Sequence, residues 1–322
     1  MENDEIKHNG NGSPVNSSFL RDGNESIPVS SIYSNKPPNE GKSKFKYGAG
    51  PVKSYEGEFK AGMRHGQGSA IFEDGIEYKG SWRFDKKHGM GDETDAQNSN
   101  YRGEFQNGHR HGKGMEITIH GDEYNGEWVQ GVRSGHGDFF SDGLHYVGEF
   151  LNGIRHGKCE KCVFRNGDVY TGEFKDNLME GHGIMVTAWG AKYDGQWLQG
   201  KMSSRGRMLF PSGDCYDGEW ANGRRSGRGV YRSAAGDVYD GEWENGKRHG
   251  RGVHRSVGKP PATGGVGGGG GVGVGAAGTG GEEVYDGEWR NGLRHGDGKV
   301  PSMRRAASAR EPLRPRPLSH HP

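Results

Sequence analysis

The sequence predicts an all-β protein: an elongated, twisted, single antiparallel sheet built as a meander of successive β-hairpins. Three observations predict it. Glycine is very frequent, 62 of 322 residues, while mean hydropathy is −0.97 and hydrophobic residues make up 30%. That is too little aliphatic material for a thick interior. Most of the glycines and aromatics nevertheless recur at fixed spacing, which argues for order rather than for a flexible low-complexity chain. The recurring unit also alternates like a strand and carries turn residues at its centre.

The unit begins with a tyrosine followed two residues later by glycine. It occurs at Tyr55, Tyr78, Tyr101, Tyr124, Tyr146, Tyr170, Tyr193, Tyr216, Tyr239 and Tyr285, in steps of 23, 23, 23, 22, 24, 23, 23, 23 and 46. Eight of the ten copies read Tyr-x-Gly-Glu-Phe/Trp; Tyr78 opens Tyr-Lys-Gly-Ser-Trp and Tyr193 opens Tyr-Asp-Gly-Gln-Trp. Most continue through Asn-Gly or a relative to a basic residue and then His-Gly-x-Gly, as in Tyr101–Gly114. Tyrosine, glycine and the second aromatic stand at i, i+2 and i+4, on one face of a strand, with glutamate on the other. Asn245-Gly246 is a strong two-residue hairpin turn because both positions favour positive φ. Pairing outward from it sets Trp243 opposite Arg248, Glu242 opposite His249, Gly241 opposite Gly250 and Tyr239 opposite Gly252. A second turn, at Asp74-Gly75, Asp142-Gly143, Asn166-Gly167 and Ser212-Gly213, joins each hairpin to the next. The result is about twenty strands and, at about 4.8 Å per strand, a sheet on the order of 100 Å long.

This motif resembles the MORN repeat (membrane occupation and recognition nexus) over roughly residues 55–300. The resemblance implies the elongated hairpin sheet. It also implies roles in organising membrane–cytoskeleton contacts, cilia, junctions or lipid-kinase regulation. Phospholipid binding has been proposed for the family, and some members use the array to dimerise. Relatives that act as enzymes carry a separate catalytic domain, and junctophilins carry a membrane anchor. With about 44 residues before the array and about 22 after it, neither addition is expected here.

The expected organisation is a disordered tail over 1–44 and repeats one to nine over 45–257. A Gly-rich flexible insertion follows at 258–281, then the last repeat at 282–300 and a basic, Pro-rich disordered tail at 301–322. The insertion stands where other copies have their inter-repeat turn, so it reads as a loop and not as a lost repeat. Gly48-Ala49-Gly50 could form a half-hairpin that caps the first repeat. Ser308 follows Arg305 at a spacing that basophilic kinases accept, and Pro312-Leu313-Arg314-Pro315 suits a polyproline II helix.

Composition narrows the function. With 43 basic and 42 acidic residues the net charge is +1, so no global field favours nucleic acid. No apolar run is long enough for a transmembrane segment. Three cysteines cannot form a disulfide framework, which suits a cytoplasmic location. Cys159-Glu160-Lys161-Cys162 lacks the second knuckle of a zinc site, and its 24-residue step suggests a β-bulge. His65, His88, His111, His156, His249 and His295 share one position, but equivalent residues two strands apart lie roughly 10 Å from each other, too far to share a metal. Pairing with the local glutamates is the better reading. No phosphate loop and no nucleophile–base arrangement is recognisable, so neither a cofactor nor a catalytic residue is expected.

What remains is a surface. The expected interaction face is the aromatic one: Tyr101, Phe105, Tyr124, Trp128, Tyr146, Phe150, Tyr170, Phe174, Tyr193, Trp197, Tyr216, Trp220, Tyr239 and Trp243. It would bind a protein partner or a second copy of the chain. The basic column offers Arg110, Arg133, Arg155, Arg225 and Arg248 to anionic phospholipid, or keeps them solvated or stacked on Trp; Met179 and Met202 interrupt it. The leading expectation is a cytoplasmic, non-enzymatic scaffold at the cytoskeleton, a cilium or a membrane periphery. The alternatives are a phosphoinositide-binding module and a regulatory subunit acting in trans on a lipid kinase or methyltransferase.

Overall fold

A computed structural model describes residues 37–47, 50–257 and 283–299. These form 21 antiparallel strands in one sheet, from β1 (Glu40–Lys46) and β2 (Val52–Lys60) to β20 (Glu283–Arg290) and β21 (Leu293–Lys299). Each strand pairs with its neighbours in sequence, so the topology is the expected meander. The sheet starts earlier than expected: β1 begins at Glu40, inside the segment read as tail, and pairs along its whole length with β2. The proposed half-hairpin at Gly48-Ala49-Gly50 lies mostly outside the described residues.

The turns follow their chemistry. Asn245 and Gly246 have φ of 51° and 84°, the positive pair that matches strand twist in a two-residue hairpin. The second turn differs, except at Asp142-Gly143, where both φ are again positive, 40° and 78°. At Phe72–Ile76 the Gly75 amide donates to the Phe72 carbonyl, and only Gly75 of the pair Asp74-Gly75 has positive φ, at 87°. This is a three-residue loop with glycine in the left-handed position.

Two register expectations hold and two are corrected. Between β18 (Val238–Glu244) and β19 (Lys247–Ser256), Trp243 faces Arg248 and Glu242 faces His249, as expected. Gly241 faces Gly252, not Gly250, and Tyr239 faces His254, not Gly252. The cause is a β-bulge: Gly250 turns to φ 55° and, with Arg251, has no partner on β18. Pairing outward by simple alternation could not anticipate it. The glutamate stabilises the bulge instead of the histidine. The Glu104 carboxylate accepts from the Lys113 amide at 2.9 Å, and that of Glu149 from the Lys158 amide at 3.0 Å. The expected pairing of Glu242 with His249 is therefore also corrected. His249 approaches Glu244 at 3.3 Å and His156 approaches Asp176 at 3.6 Å instead.

The interior lies on the aromatic face of a single layer. Each tyrosine ring but Tyr146, whose hairpin pairs Gly148 with Cys159, lies over the paired glycines of its own hairpin; a Cβ on Gly103 or Gly114 would stand 2.6 or 2.2 Å from the Tyr101 hydroxyl. That hydroxyl donates to the Glu104 carbonyl at 2.9 Å, and the same bond recurs from Tyr55 to Tyr285. Each tyrosine from Tyr55 to Tyr239 also meets two rings edge to face, and Tyr285, the last, meets Trp289. Tyr101 touches Phe105 at 5.2 Å and Trp128 of the following repeat at 5.1 Å. The indole N–H then reaches back, Trp128 to the Gly114 carbonyl at 3.1 Å and Trp243 to Gly229 at 2.9 Å. Such edge-to-face pairs contribute about 1 kcal/mol each beyond their burial. They lock each repeat to the next.

Where the final step lengthens to 46 residues, β19 still pairs directly with β20, Ser256 opposite Glu283. Residues 258–282 therefore replace an inter-repeat turn and no repeat is missing. The flexibility expected of that insertion, and Ser308 with the basic tail, lie outside the described residues.

Candidate interaction groove

Every aromatic residue assigned to the interaction face is buried, Tyr101 to Trp243 alike. The expectation of an open aromatic face is thus corrected in its geometry. The rings cover one another and the glycines, and the arginines cover the rings. What the face presents outward is set by two columns laid over this ladder.

The first is the basic column. Arg110 lies 4.7 Å from the Tyr101 ring centroid and 5.5 Å from that of Trp128; Arg133 lies 4.9 Å from Tyr124. Arg155 is 5.1 Å from Phe174, Arg225 4.3 Å from Trp243, and Arg248 4.9 Å from Tyr239 and 5.1 Å from Trp289. Stacking of this kind anchors a guanidinium by its flat face. All five residues named as anionic-lipid contacts are brought into one column, though largely buried in it; the Arg110 side chain is 19% exposed.

The second column was missed in the sequence. It stands fifteen residues after the tyrosine, sixteen in the bulged repeat of Tyr146, directly between the tyrosines of adjacent hairpins: Ala70, Glu93, Glu116, Phe139, Cys162, Met185, Met208, Tyr231 and His254. It varies where the rest of the repeat is constant, so a search for recurring residues passes over it. Aligning the copies by their tyrosines would have exposed it.

Together the columns divide the face into three zones. In the first, Glu93 and Glu116 neutralise the basic residues: Arg110 pairs with Glu93 at 3.1 Å and with Glu116 at 2.5 Å, Arg133 pairs with Glu116 at 2.7 Å, and Lys87 pairs with Glu93. In the second, Met185 and Met208 stand in one column and Met179 and Met202 in the other, so both columns are without charge there; Cys162, one repeat before, shares its strand with Arg155. A hollow of about 420 Å³ opens there beside Phe164, Met179 and Met185. In the third, Arg225 and Arg248 stand beside Tyr231, whose hydroxyl donates to Asp214 at 2.7 Å. A groove of about 810 Å³ opens there between Trp189, Phe210, Tyr231 and Trp243. Trp189 is 60% exposed at its edge.

The cysteines belong to the fold. Cys159 takes the place of a glycine, opposite Gly148 of β10 (Leu144–Leu151) and Gly172 of β12 (Val169–Lys175). The register slips between Cys159 and Cys162 on β11 (Ile154–Val163), which is the bulge that the 24-residue step implied. Both thiols are fully buried, and burial pushes them up to about 12 and about 11. They are held protonated at neutral pH, unlike reactive or metal-binding cysteines. Among the described residues no group of three or more His, Cys, Asp or Glu side chains could hold a metal ion. Among the described residues no helix is long and apolar enough to cross a membrane.

The fold and its ring ladder define a tandem hairpin-repeat protein. The MORN repeat family matches at residues 55–76, 78–99, 101–118, 124–145, 146–169, 170–192, 193–215, 216–238, 239–257 and 285–299, and the chain belongs to that family. It is a non-catalytic repeat family whose repeats point to protein or membrane association. Comparison with curated proteins gives no match. Among solved structures, the chain is similar to the SAS-4 (dCPAP) TCP domain of Drosophila melanogaster in complex with a proline-rich motif of Ana2 (dSTIL). The identity is 8% and the TM-score 0.24, over 52% of this chain and 77% of that one. It is also similar to the TCP10 domain of Danio rerio CPAP in complex with a STIL peptide, at 12% identity and TM-score 0.26, over 64% and 92%. At these scores the likeness assigns no partner to this chain.

Proposed function

We propose that this chain is a non-enzymatic scaffold that binds a protein partner, or a second copy of itself, through the ring-lined side of its sheet. The observation that carries this reading is the zoned face: a rigid ladder beneath, and over it a continuous run from Met179 to Trp243 that leaves methionine and aromatic surface in open hollows. Adaptable methionine surface beside aromatic walls suits protein recognition. The family resemblance supports a place at a membrane–cytoskeleton or ciliary structure. The neutralised arginines of the first zone do not favour a general anionic-lipid stripe, because Glu93 and Glu116 already occupy them.

Sedimentation of the full chain together with imaging of a tagged copy tests the reading. Self-association or a stable complex, with the tag concentrated at a cortical, ciliary or membrane-apposed structure, is expected. A monomer that retains no protein and spreads evenly through the cytosol contradicts it.

A further inference from the structure

Two members of the basic column stand apart from the others. Arg64 pairs with Asp85 at 2.9 Å, Lys87 with Glu93, Arg110 and Arg133 with Glu93 and Glu116, and Arg294 with Glu283 at 2.8 Å. Arg155 is held by the side chain and carbonyl of Asn177. Among the described residues Arg225 reaches only the Gly246 carbonyl, at 3.0 Å. The Arg248 guanidinium has rings at 4.9 and 5.1 Å but no ion pair or hydrogen bond among the described residues. Burial lowers the pKa of both. A desolvated guanidinium without an acceptor is costly, and a carboxylate brought to it forms a charge-assisted, often bidentate bond.

Their setting matters as much as their charge. Both line the groove of about 810 Å³, within the size range of small-ligand and peptide-segment sites. Its walls are largely aromatic, Lys247 adds a third positive charge, and the acid in its lining, Asp214, accepts from the Tyr231 hydroxyl at 2.7 Å. The two arginines stand at equivalent positions in adjacent repeats, two strands and so roughly 10 Å apart. The C-terminal segment of this chain does not suit the groove: residues 301–322 carry five arginines against Glu311 and repeat the groove's own sign.

We propose that this groove is a docking site for an acidic–apolar peptide segment of a partner protein. Its carboxylates meet Arg225 and Arg248, and its apolar side chains lie against the exposed faces of Trp189, Phe210 and Trp243. The proposal rests on the scaffold reading above and names the site and ligand chemistry within it. The paired arginines of the first zone have no such vacancy, so the array is functionally polar along its length although its repeats are nearly alike.

The test uses the full chain and a phage-displayed library of random 16-residue peptides, with selected peptides remade and measured by fluorescence anisotropy. Selected peptides should carry Asp or Glu beside apolar residues. Their affinity should fall at least tenfold on R225Q/R248Q, recover in part on R225K/R248K, and weaken with salt. If the glutamine variant does not fold, W189A and K247E at the exposed rim give the reading, each with an expected loss of about tenfold. Failure to select any peptide, selection of acid-free peptides, or affinities within twofold of wild type on the variants overturns the proposal. So does retention through Arg225 and Arg248 of phosphatidylcholine vesicles containing phosphatidylinositol 4,5-bisphosphate while no peptide binds. Protein capture from cells by R225Q/R248Q that equals wild type overturns the groove alone; loss of capture by the wild type as well overturns the scaffold reading with it.

Discussion

At the scale of the residue, tyrosine and glycine form one part. The ring needs the space that two missing side chains leave, and its hydroxyl needs the carbonyl beneath it. Gly114 shows the requirement, since a Cβ there would lie 2.2 Å from the Tyr101 hydroxyl. Gly114→Ala should destabilise the chain by about 2–3 kcal/mol, read by chemical denaturation; a loss under half of that would show that the ring has room to move. The buried hydroxyls also set a pH limit. Burial raises every tyrosine of the column from Tyr55 to Tyr239, with Tyr124 and Tyr239 reaching about 12. An unfolded tyrosine ionises near pH 10 (about 10). Since the neutral form is favoured in the fold, this stability is complete below pH 10 and is lost as pH rises from about 10 through 12 and beyond. Ultraviolet titration should show tyrosine ionisation coinciding with unfolding; stepwise ionisation of a folded sheet would contradict it. The face-sharing of Tyr101, Gly103 and Phe105 was legible from alternation alone. The depth of burial was not, because a one-layer sheet gives no sign in its sequence that its rings will cover one another.

At the scale of the element, the hairpin is defined by its bulge. The Asn-Gly turn, the Trp–Arg pair and the position of glutamate were all readable, and they fix the first half of the register. The second half depends on the left-handed glycine before the final Gly, which alternation treats as an ordinary strand residue. One copy departs from the rule. In β15 (Lys201–Leu209) a serine, Ser204, holds the bulge at φ 50°, in the repeat where Gln196 replaces the usual glutamate. A side chain in that conformation costs about 1 kcal/mol, so Ser204→Gly should raise stability by about that amount in a denaturant melt, and a loss of stability would contradict it. The Gly-rich insertion is a second test of element logic. Since β19 and β20 pair across it, replacing residues 258–282 with a five-residue turn like Ser233–Asp237 should leave the sheet intact and add about 1 kcal/mol through loop closure. A collapse of the last hairpin would mean that the insertion is structural.

At the scale of the whole molecule, the sheet is a line of equal joints carrying an unequal surface. Each repeat touches mainly its neighbours through rings and an indole hydrogen bond, so stability should accumulate nearly additively along the array. The constant positions make the line, and they are what a reader of the sequence sees first. The varying column between the tyrosines of adjacent hairpins decides what the line presents: neutralised arginines, then methionine, then arginines with no ion pair among the described residues. Glu93, Met185 and Tyr231 occupy one position in three repeats, and no single copy reveals that they form successive zones. The central claim is that association runs through the methionine and aromatic zone while the buried ladder only supports it. The most direct measurement is proximity labelling in cells by the full chain fused to a biotin ligase, compared with Met179→Glu/Met202→Glu at equal expression and equal thermal midpoint. The variant should lose most of the proteins that the wild type labels reproducibly. An unchanged set of labelled proteins would contradict the account.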